Sequence, residues 1–291
     1  MDAMKVSDRA DFSKADLTNA SIMDVDLTEA DFSDANLTNA NFTRSLMGSA
    51  NLSDATIVKT DFTACNLINA DFSGVTLQDV NLEKAGLSRA IFKGTEFNNV
   101  NMVGADLSLT IFDDVDLSKV RLQKAQFAQS TVEDMNFNGQ DLTEVVFDKG
   151  KVAGSRFEKA KLNGTSFFDT EVSKNFFKNA QMLKADFDGA YIFKSIFDNA
   201  ELTKANFASA NIESSAFTGA KMTGANFSGA VLKKVDFTNA DLTGMKINAD
   251  TKMDNVIFDG ADLSNAKIEK FTAKRVFYNN QTKFPAGFNP R

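Results

Sequence analysis

Histidine and tryptophan are absent from this chain of 291 residues, and cysteine occurs once. Without imidazole there is no Ser-His or Cys-His relay and no histidine-ligated metal. A single thiol excludes an internal disulfide framework. The 2 prolines and 16 glycines are too few for a collagen-like or disordered composition. No apolar run approaches the length that spans a bilayer, so no membrane association is expected. The opening MDAMKVSDRADF lacks a basic stretch, an apolar run and a small-residue cleavage site, which predicts a soluble, cytoplasmic protein. No phosphate-binding glycine loop is present, and no cofactor is expected.

Charge is moderate in sum and uneven along the chain. The formal net charge is −7, and residues 1–100 alone carry −7, residues 101–245 carry −3 and residues 246–291 carry +3. An acidic body argues against direct nucleic-acid binding, because phosphate contacts need Lys and Arg. It suits a basic partner, or it is simply a solvated surface.

What fills the chain is a repeat of five. From Phe12, every fifth residue for 48 consecutive positions, ending at Ile247, is Phe, Leu, Ile, Met or Val. Two residues before it, 24 of the 48 are Ala and most others are Ser, Thr, Val or Gly; Asp or Asn precedes the large residue in 22. On an α-helix a step of five scatters the apolar groups around the axis. On a straight strand an odd step alternates faces. The pattern works if each unit is a short extended piece followed by a turn. The small and the large residue then face one way, the intervening Asp or Asn faces water, and the remaining two residues turn the corner.

Such units coil into a solenoid whose large residues fill the axis, with successive coils hydrogen-bonded as parallel strands. From Phe127 to Phe237 every tenth residue is Phe, alternating with Val132, Leu142, Val152 and their successors. Coils of 20 residues stack like on like, with Phe columns on two opposite sides; coils of 15 would mix them. Four sides are therefore predicted. In residues 12–92 the phase is reversed, with Phe12, Phe32 and Phe42 on the other pair of sides. Either core volume per layer is all that matters, or two ancestral arrays join between about residues 97 and 127. Forty-eight units make twelve coils, roughly 58 Å of rod at ~4.8 Å per coil.

Runs such as ADFSDANLTNANF, ADLTNASIMDVDLTEADF and ANFSGAVLKKVDFTNADLTGM resemble the pentapeptide repeat family, whose pattern is A(D/N)LXX. The resemblance covers residues 12–247 and implies an all-β fold, a right-handed quadrilateral parallel β-helix. Counting repeats gives 12–13 coils with a C-terminal cap. Residues 1–11 form a lead-in, with Met4 and Val6 to protect that edge. Residues 12–247 form the uninterrupted solenoid, and residues 248–270 a last coil slipped by one residue, with Met253, Phe258, Leu263 and Ile268 in its large positions. In the tail 271–291, Phe271, Val276, Phe277, Tyr278, Phe284 and Phe288 are expected to fold over that coil. The tail is similar to those of some bacterial, notably cyanobacterial, pentapeptide proteins.

Departures from the pattern are the candidates for function. Between residues 168 and 196, water-facing positions hold Phe168, Phe176, Leu183, Tyr191, Phe193 and Ile196. Exposed aromatic clusters mark interfaces; the alternative is local repacking, with Asn175 distorting the turn from a small-residue slot. Cys65 falls in such a slot and reads as a core residue rather than a nucleophile. The Asp24/Asp26 and Asp114/Asp116 pairs could meet Ca²⁺ weakly, but the glycine-rich calcium-roll pattern is missing. Carboxylates spaced over a convex surface with a filled axis form no acid–base pair. The expected protein is no enzyme but a scaffold or protein–protein interaction module with an unknown protein partner, self-association as a homodimer being open. The alternative, implied by the resemblance, is an acidic duplex-DNA mimic that binds a type II topoisomerase, as quinolone-resistance members of the family do. Against it, no loops interrupt the coils, and the Pro-containing tail does not look like a dimerisation helix. An ice-binding surface ranks last, because no uninterrupted Thr column forms.

Overall fold

The computed structural model describes residues 4–5, 9–112, 115–268 and 272–287. These residues contain no helix. Every pairing among them is parallel, and over most of the chain it joins residues 20 apart, such as Asp11 with Asp31 and Asp31 with Asn51. Five residues per side and twenty per coil make four sides. About 11 turns are formed. Two of the thirteen coils counted from the repeats hold undescribed residues, 113–114 and 269–271.

Each corner is built by local chemistry that the repeat encodes. An Asp or Asn one residue before the large apolar side chain accepts the N–H two residues on, and a Ser or Thr there adds its hydroxyl. Asn41 accepts both from Thr43, at 2.9 and 2.6 Å, and Asp26 both from Thr28. This Asx turn explains why the D/N–apolar–S/T order recurs. The next residue adopts positive φ, as at Lys14 (58°), Asn19 (60°) and Asp34 (58°). Asn, Asp and Gly enter this region at low cost. Leu109 does so as well, at 60°, with no polar side chain to offset the strain.

The chain divides into two units, Met1–Thr131 and Val132–Arg291. In the first, Phe12 stacks on Phe32 and Phe42 on Phe62, at 5.1 and 5.4 Å between ring centroids, while Phe32 meets Phe42 edge to face at 5.7 Å. Leu27, Leu37, Leu67, Leu77 and Leu87 are fully buried beside them. Met4–Lys5 pairs with Val25–Asp26; Val6, expected to protect this edge, lies outside the described residues.

In the second unit the two Phe columns are complete. Phe147, Phe167, Phe187, Phe207 and Phe227 form one, with rings 4.7–5.1 Å apart. Phe137, Phe157, Phe177, Phe197, Phe217 and Phe237 form the other. Rings of opposite columns meet edge to face, as Phe187 and Phe197 do at 5.8 Å and 85°. Quadrupoles favour both arrangements. The aliphatic residues between them, Val152, Leu162, Val172 and Met182 among them, are also fully buried.

The slip after Ile247 is a four-residue clip. Asn248 accepts the Gly229 N–H at 2.8 Å, and the Thr251 hydroxyl donates to Phe227 O at 3.0 Å. Beyond it Val231 pairs with Lys252, an offset of 21. Asn279 and Thr282 repeat the device on Gly260 and Phe258, at 3.1 and 2.8 Å. This second slip is not anticipated from the sequence. Between the two clips, Thr272–Phe277 adds a parallel strand to Lys252–Ile257. Tyr278 and Phe284, in the large-residue positions of this partial coil, pack edge to face at 5.2 Å, while Phe277 is 48% exposed. Of the other residues expected to fold over the last coil, Val276 is half-buried, and Phe271 and Phe288 lie outside the described residues.

The tail is tied to the coil beneath it by Asp262, which accepts from the Ser264 N–H and the Lys283 ammonium, both at 2.9 Å. The bonds from Ser264 and then Lys283 hold its carboxyl at about 2, below the ordinary 3.8. A depressed folded-state pKa contributes stability above the ordinary value and loses it as pH falls through the depressed one. Amide exchange of residues 272–287 should therefore speed up, relative to residues 200–240, as pH falls from about 3.8 towards 2. Asp262→Asn should abolish the difference; equal acceleration in both chains would refute the tie.

Candidate interaction surface

One corner of the second unit is built differently from the rest. At most corners the small residue's N–H closes the turn onto the carbonyl of the large residue before it, as Ala160 does on Phe157 at 3.1 Å and Ala180 on Phe177 at 3.0 Å. After Val152 and Val172 a side chain from the next coil bridges these groups instead. The Asn175 amide donates to Val152 O at 2.7 Å, and its carbonyl accepts the Ser155 N–H at 2.9 Å. Ser195 does the same between Val172 O and Asn175 N–H, both at 3.2 Å. Ser215 receives the Ser195 N–H at 3.1 Å. Asn175 is fully buried with both ends of its amide satisfied. The alternative of a locally altered turn is met in part: Asn175 replaces the direct turn bond after Val152, while the pairing of Arg156, Phe176 and Ile196 runs through unbroken. The signal was present as Ser155, Asn175, Ser195 and Ser215, four polar residues 20 apart in a slot otherwise mostly Ala.

A groove of about 420 Å³ runs along this corner, lined among others by Lys151, Gly154, Glu171, Lys174, Tyr191 and Phe193. Gly154 leaves it open: at φ +63°, a Cβ there would clash with Asp134 Oδ1. On one side of the corner Tyr191 and Phe193 stack at 6.1 Å and 10°, and Lys194 Nζ lies 4.9 Å from the Phe193 ring. On the other side Arg156, Phe176 and Ile196 occupy successive rungs, the Arg156 guanidinium 5.8 Å from the Phe176 ring. Phe176 is 38% and Tyr191 39% exposed.

The structure thus brings four of the six sequence-predicted residues to one corner. Phe168 borders the Tyr191 side at its far edge, where Lys149 Nζ covers its ring at 5.9 Å. Leu183, ten residues or half a coil from Phe193, stands at the diagonally opposite corner and is exposed. In the first unit Ile91, Leu109 and Ile111 line an exposed apolar cleft that the sequence reading missed.

The charges around the corner fall into two sets. Lys151 pairs with Glu133 at 2.6 Å and Lys233 with Glu213; the Glu133 contact raises the Lys151 ammonium above its ordinary value. Lys174 and Lys194, one rung apart at φ 57° and 50°, have no carboxylate at ion-pair distance among the described residues.

No group of three His, Cys, Asp or Glu side chains among the described residues could hold a metal ion. Asp24 is engaged by the Arg44 guanidinium and Asp26 by Thr28; Asp116 accepts from Ser118, and Asp114 lies outside the described residues. Cys65 is buried, donates to Phe42 O at 2.7 Å, and has its thiol pushed up to about 12, mainly by burial. No described helix is long and apolar enough to cross a membrane.

Comparison with known proteins bears on the repeat itself. The model of pentapeptide repeats (8 copies) matches residues 8–44, 45–83, 76–114 and 90–127, and that of the pentapeptide repeat region matches 170–247 and 190–268. No curated protein sequence matches. Among solved structures, HetL, a pentapeptide repeat protein involved in heterocyst differentiation regulation in the cyanobacterium Nostoc sp. strain PCC 7120, is 24% identical. That alignment covers 83% of this chain and 91% of HetL, with a TM-score of 0.25. QnrB1, a plasmid-mediated fluoroquinolone resistance protein, is 17% identical over 77% of this chain and 92% of its own, with a TM-score of 0.35. A thylakoid-lumen pentapeptide repeat protein of Arabidopsis thaliana is 24% identical over 37% of this chain and 68% of its own, with a TM-score of 0.18. With family models matching well over half of its residues, the chain belongs to the pentapeptide repeat family.

Proposed function

We propose that this protein is a non-catalytic interaction module whose binding surface is the corner carrying Phe176, Ile196, Tyr191 and Phe193. The observation that carries this reading is the exposure of the stacked Tyr191–Phe193 pair beside the Phe176–Ile196 stripe, on a unit whose two long Phe columns are stacked inside. Clustered aromatic groups on a rigid surface are the compositional mark of interface cores. Rigidity favours such a role, since a preformed surface loses little conformational entropy on binding.

The reading is tested with a chain bearing Phe176→Asp and Tyr191→Asp. Both side chains lie outside the core, so its melting temperature should match the wild type. Capture of partners from the source cell, or self-association in sedimentation, should be lost. Unchanged association would remove the surface from consideration.

The second reading, an acidic duplex-DNA mimic acting on a type II topoisomerase, rests on the acid excess of residues 1–100. It is separable by experiment. Protection or inhibition of gyrase supercoiling at micromolar protein would favour the mimic, and the absence of both would dismiss it.

A further inference from the structure

We infer that Asn138 and Asn163 are the sites at which this chain ages by deamidation, each held closed by the ladder and attacked only when its corner opens. Both first serve the fold. In the usual corner the Asp or Asn before the large residue accepts the N–H two residues on. Arg156 and Gln181 stand at that position before Phe157 and Met182, and neither forms the Asx turn. An asparagine from the preceding coil takes over. Asn138 Oδ1 accepts the Glu158 N–H at 2.8 Å, and Asn163 Oδ1 accepts the Leu183 N–H at 3.0 Å. Asp148 does the same for the Phe168 N–H at 3.2 Å, where Ser166 holds the position.

Asn138 and Asn163 are also the only asparagines followed by glycine, Gly139 and Gly164. With no Cβ on the next residue, its backbone nitrogen reaches the amide carbon unhindered. That nitrogen loses its proton and attacks Asn Cγ. A C–N bond forms, the Cγ–Nδ2 bond breaks, and ammonia leaves with the proton. Water then opens the cyclic imide. Opening at Cγ gives Asp; opening at the α-carbonyl gives isoaspartate, whose backbone runs through Cβ and Cγ and is one atom longer.

In the folded corner both reactants are engaged by a single residue of the next coil. Glu158 takes the Asn138 oxygen on its N–H and the Gly139 N–H on its carbonyl, the latter at 2.9 Å; Leu183 does so for Asn163 and Gly164, again at 2.9 Å. These bonds must break before attack, and local opening of that kind takes less free energy than unfolding. The Asp product keeps the acceptor, as Asp148 does. Isoaspartate turns that carbonyl into main chain and adds an atom to a coil whose neighbours pair at steps of 20, Asn136 with Arg156 and Lys161 with Gln181.

The test incubates the full chain in mildly alkaline buffer and maps it after trypsin, which puts the two sites in separate peptides, 125–149 and 162–174. Both should gain the mass of amide-to-acid conversion at least ~tenfold more slowly in buffer than in concentrated urea. Urea below the unfolding midpoint should speed conversion in step with hydrogen exchange at the Gly139 and Gly164 amides. Equal rates in buffer and in concentrated urea, exchange that quickens without conversion, or faster conversion at another asparagine would overturn the inference. A chain with Asn138→Asp and Asn163→Asp should melt like the wild type, whereas aged protein rich in isoaspartate should melt lower. If the substituted chain melts as low as the aged one, added charge does the damage. If neither melts lower, the corner tolerates the extra atom. Either result would refute the register step.

Discussion

Phe187→Lys is expected to unfold the second unit at room temperature, whereas Asp186→Lys, one residue earlier, should lower its denaturation midpoint only modestly. Phe187 is fully buried. Its ring lies parallel to Phe167 at 4.7 Å and Phe207 at 5.0 Å, and edge-on to Phe197 at 5.8 Å. Losing a ring in such a place costs about 3–5 kcal/mol. An unpaired ammonium among the remaining rings adds several kcal/mol of desolvation. The sum approaches the roughly 5–15 kcal/mol by which a whole domain is stable. Neighbouring coils share the damage, since each is held by the next. Asp186 points outward, accepting the Asp188 N–H at 3.1 Å and the Asn206 amide at 2.9 Å. Removing those bonds costs about 1 kcal/mol each. Urea titrations followed by circular dichroism separate the two, and similar midpoints would refute the inward register of every fifth residue.

That register was legible because it is short-range and repeated. The pattern around Phe187 recurs at Phe177 and Phe197, and the alternation of Phe with aliphatic residues is enough to choose four sides over three. Corner chemistry was less legible, because it depends on residues 20 apart. Ser155, Asn175 and Ser195 are unremarkable singly; they become a bridge only once their coils are stacked. Asn175 therefore read as a disturbance when it is a connector. The candidate surface shows the same limit. Phe176 and Ile196, exactly one coil apart, could be placed together from spacing, but Leu183 looked near Phe193 in sequence and lies half a coil away. The first slip, at Asn248, broke a long regular run and was visible. The second, at Asn279, fell in a tail with no run left to break.

Asn175→Leu is expected to cost about 2–6 kcal/mol, because it leaves two buried backbone groups without a partner at about 1–3 kcal/mol each. Val152 O loses the amide that reaches it at 2.7 Å, and the Ser155 N–H loses its acceptor at 2.9 Å. The corner cannot simply close to restore the direct bond, since a side chain of the same branched shape and greater bulk still occupies the slot. Leucine occurs in none of the 48 small-residue slots of the repeat. Asn175→Ser should instead cost within about 1 kcal/mol, the scale of one net hydrogen bond, because a hydroxyl both donates and accepts. Ser195 already spans the next corner in that way, with both bonds at 3.2 Å. The contrast sets the bonds against the fill: leucine keeps the branched shape, with extra bulk that adds to its cost, and loses the bonds, while serine keeps the bonds and loses volume. Denaturation midpoints should rank wild type and Asn175→Ser close together, with Asn175→Leu far below. If leucine proves as stable as serine, the side-chain bridges do not hold this corner, and the groove beside Lys174 must owe its shape to Gly154 alone.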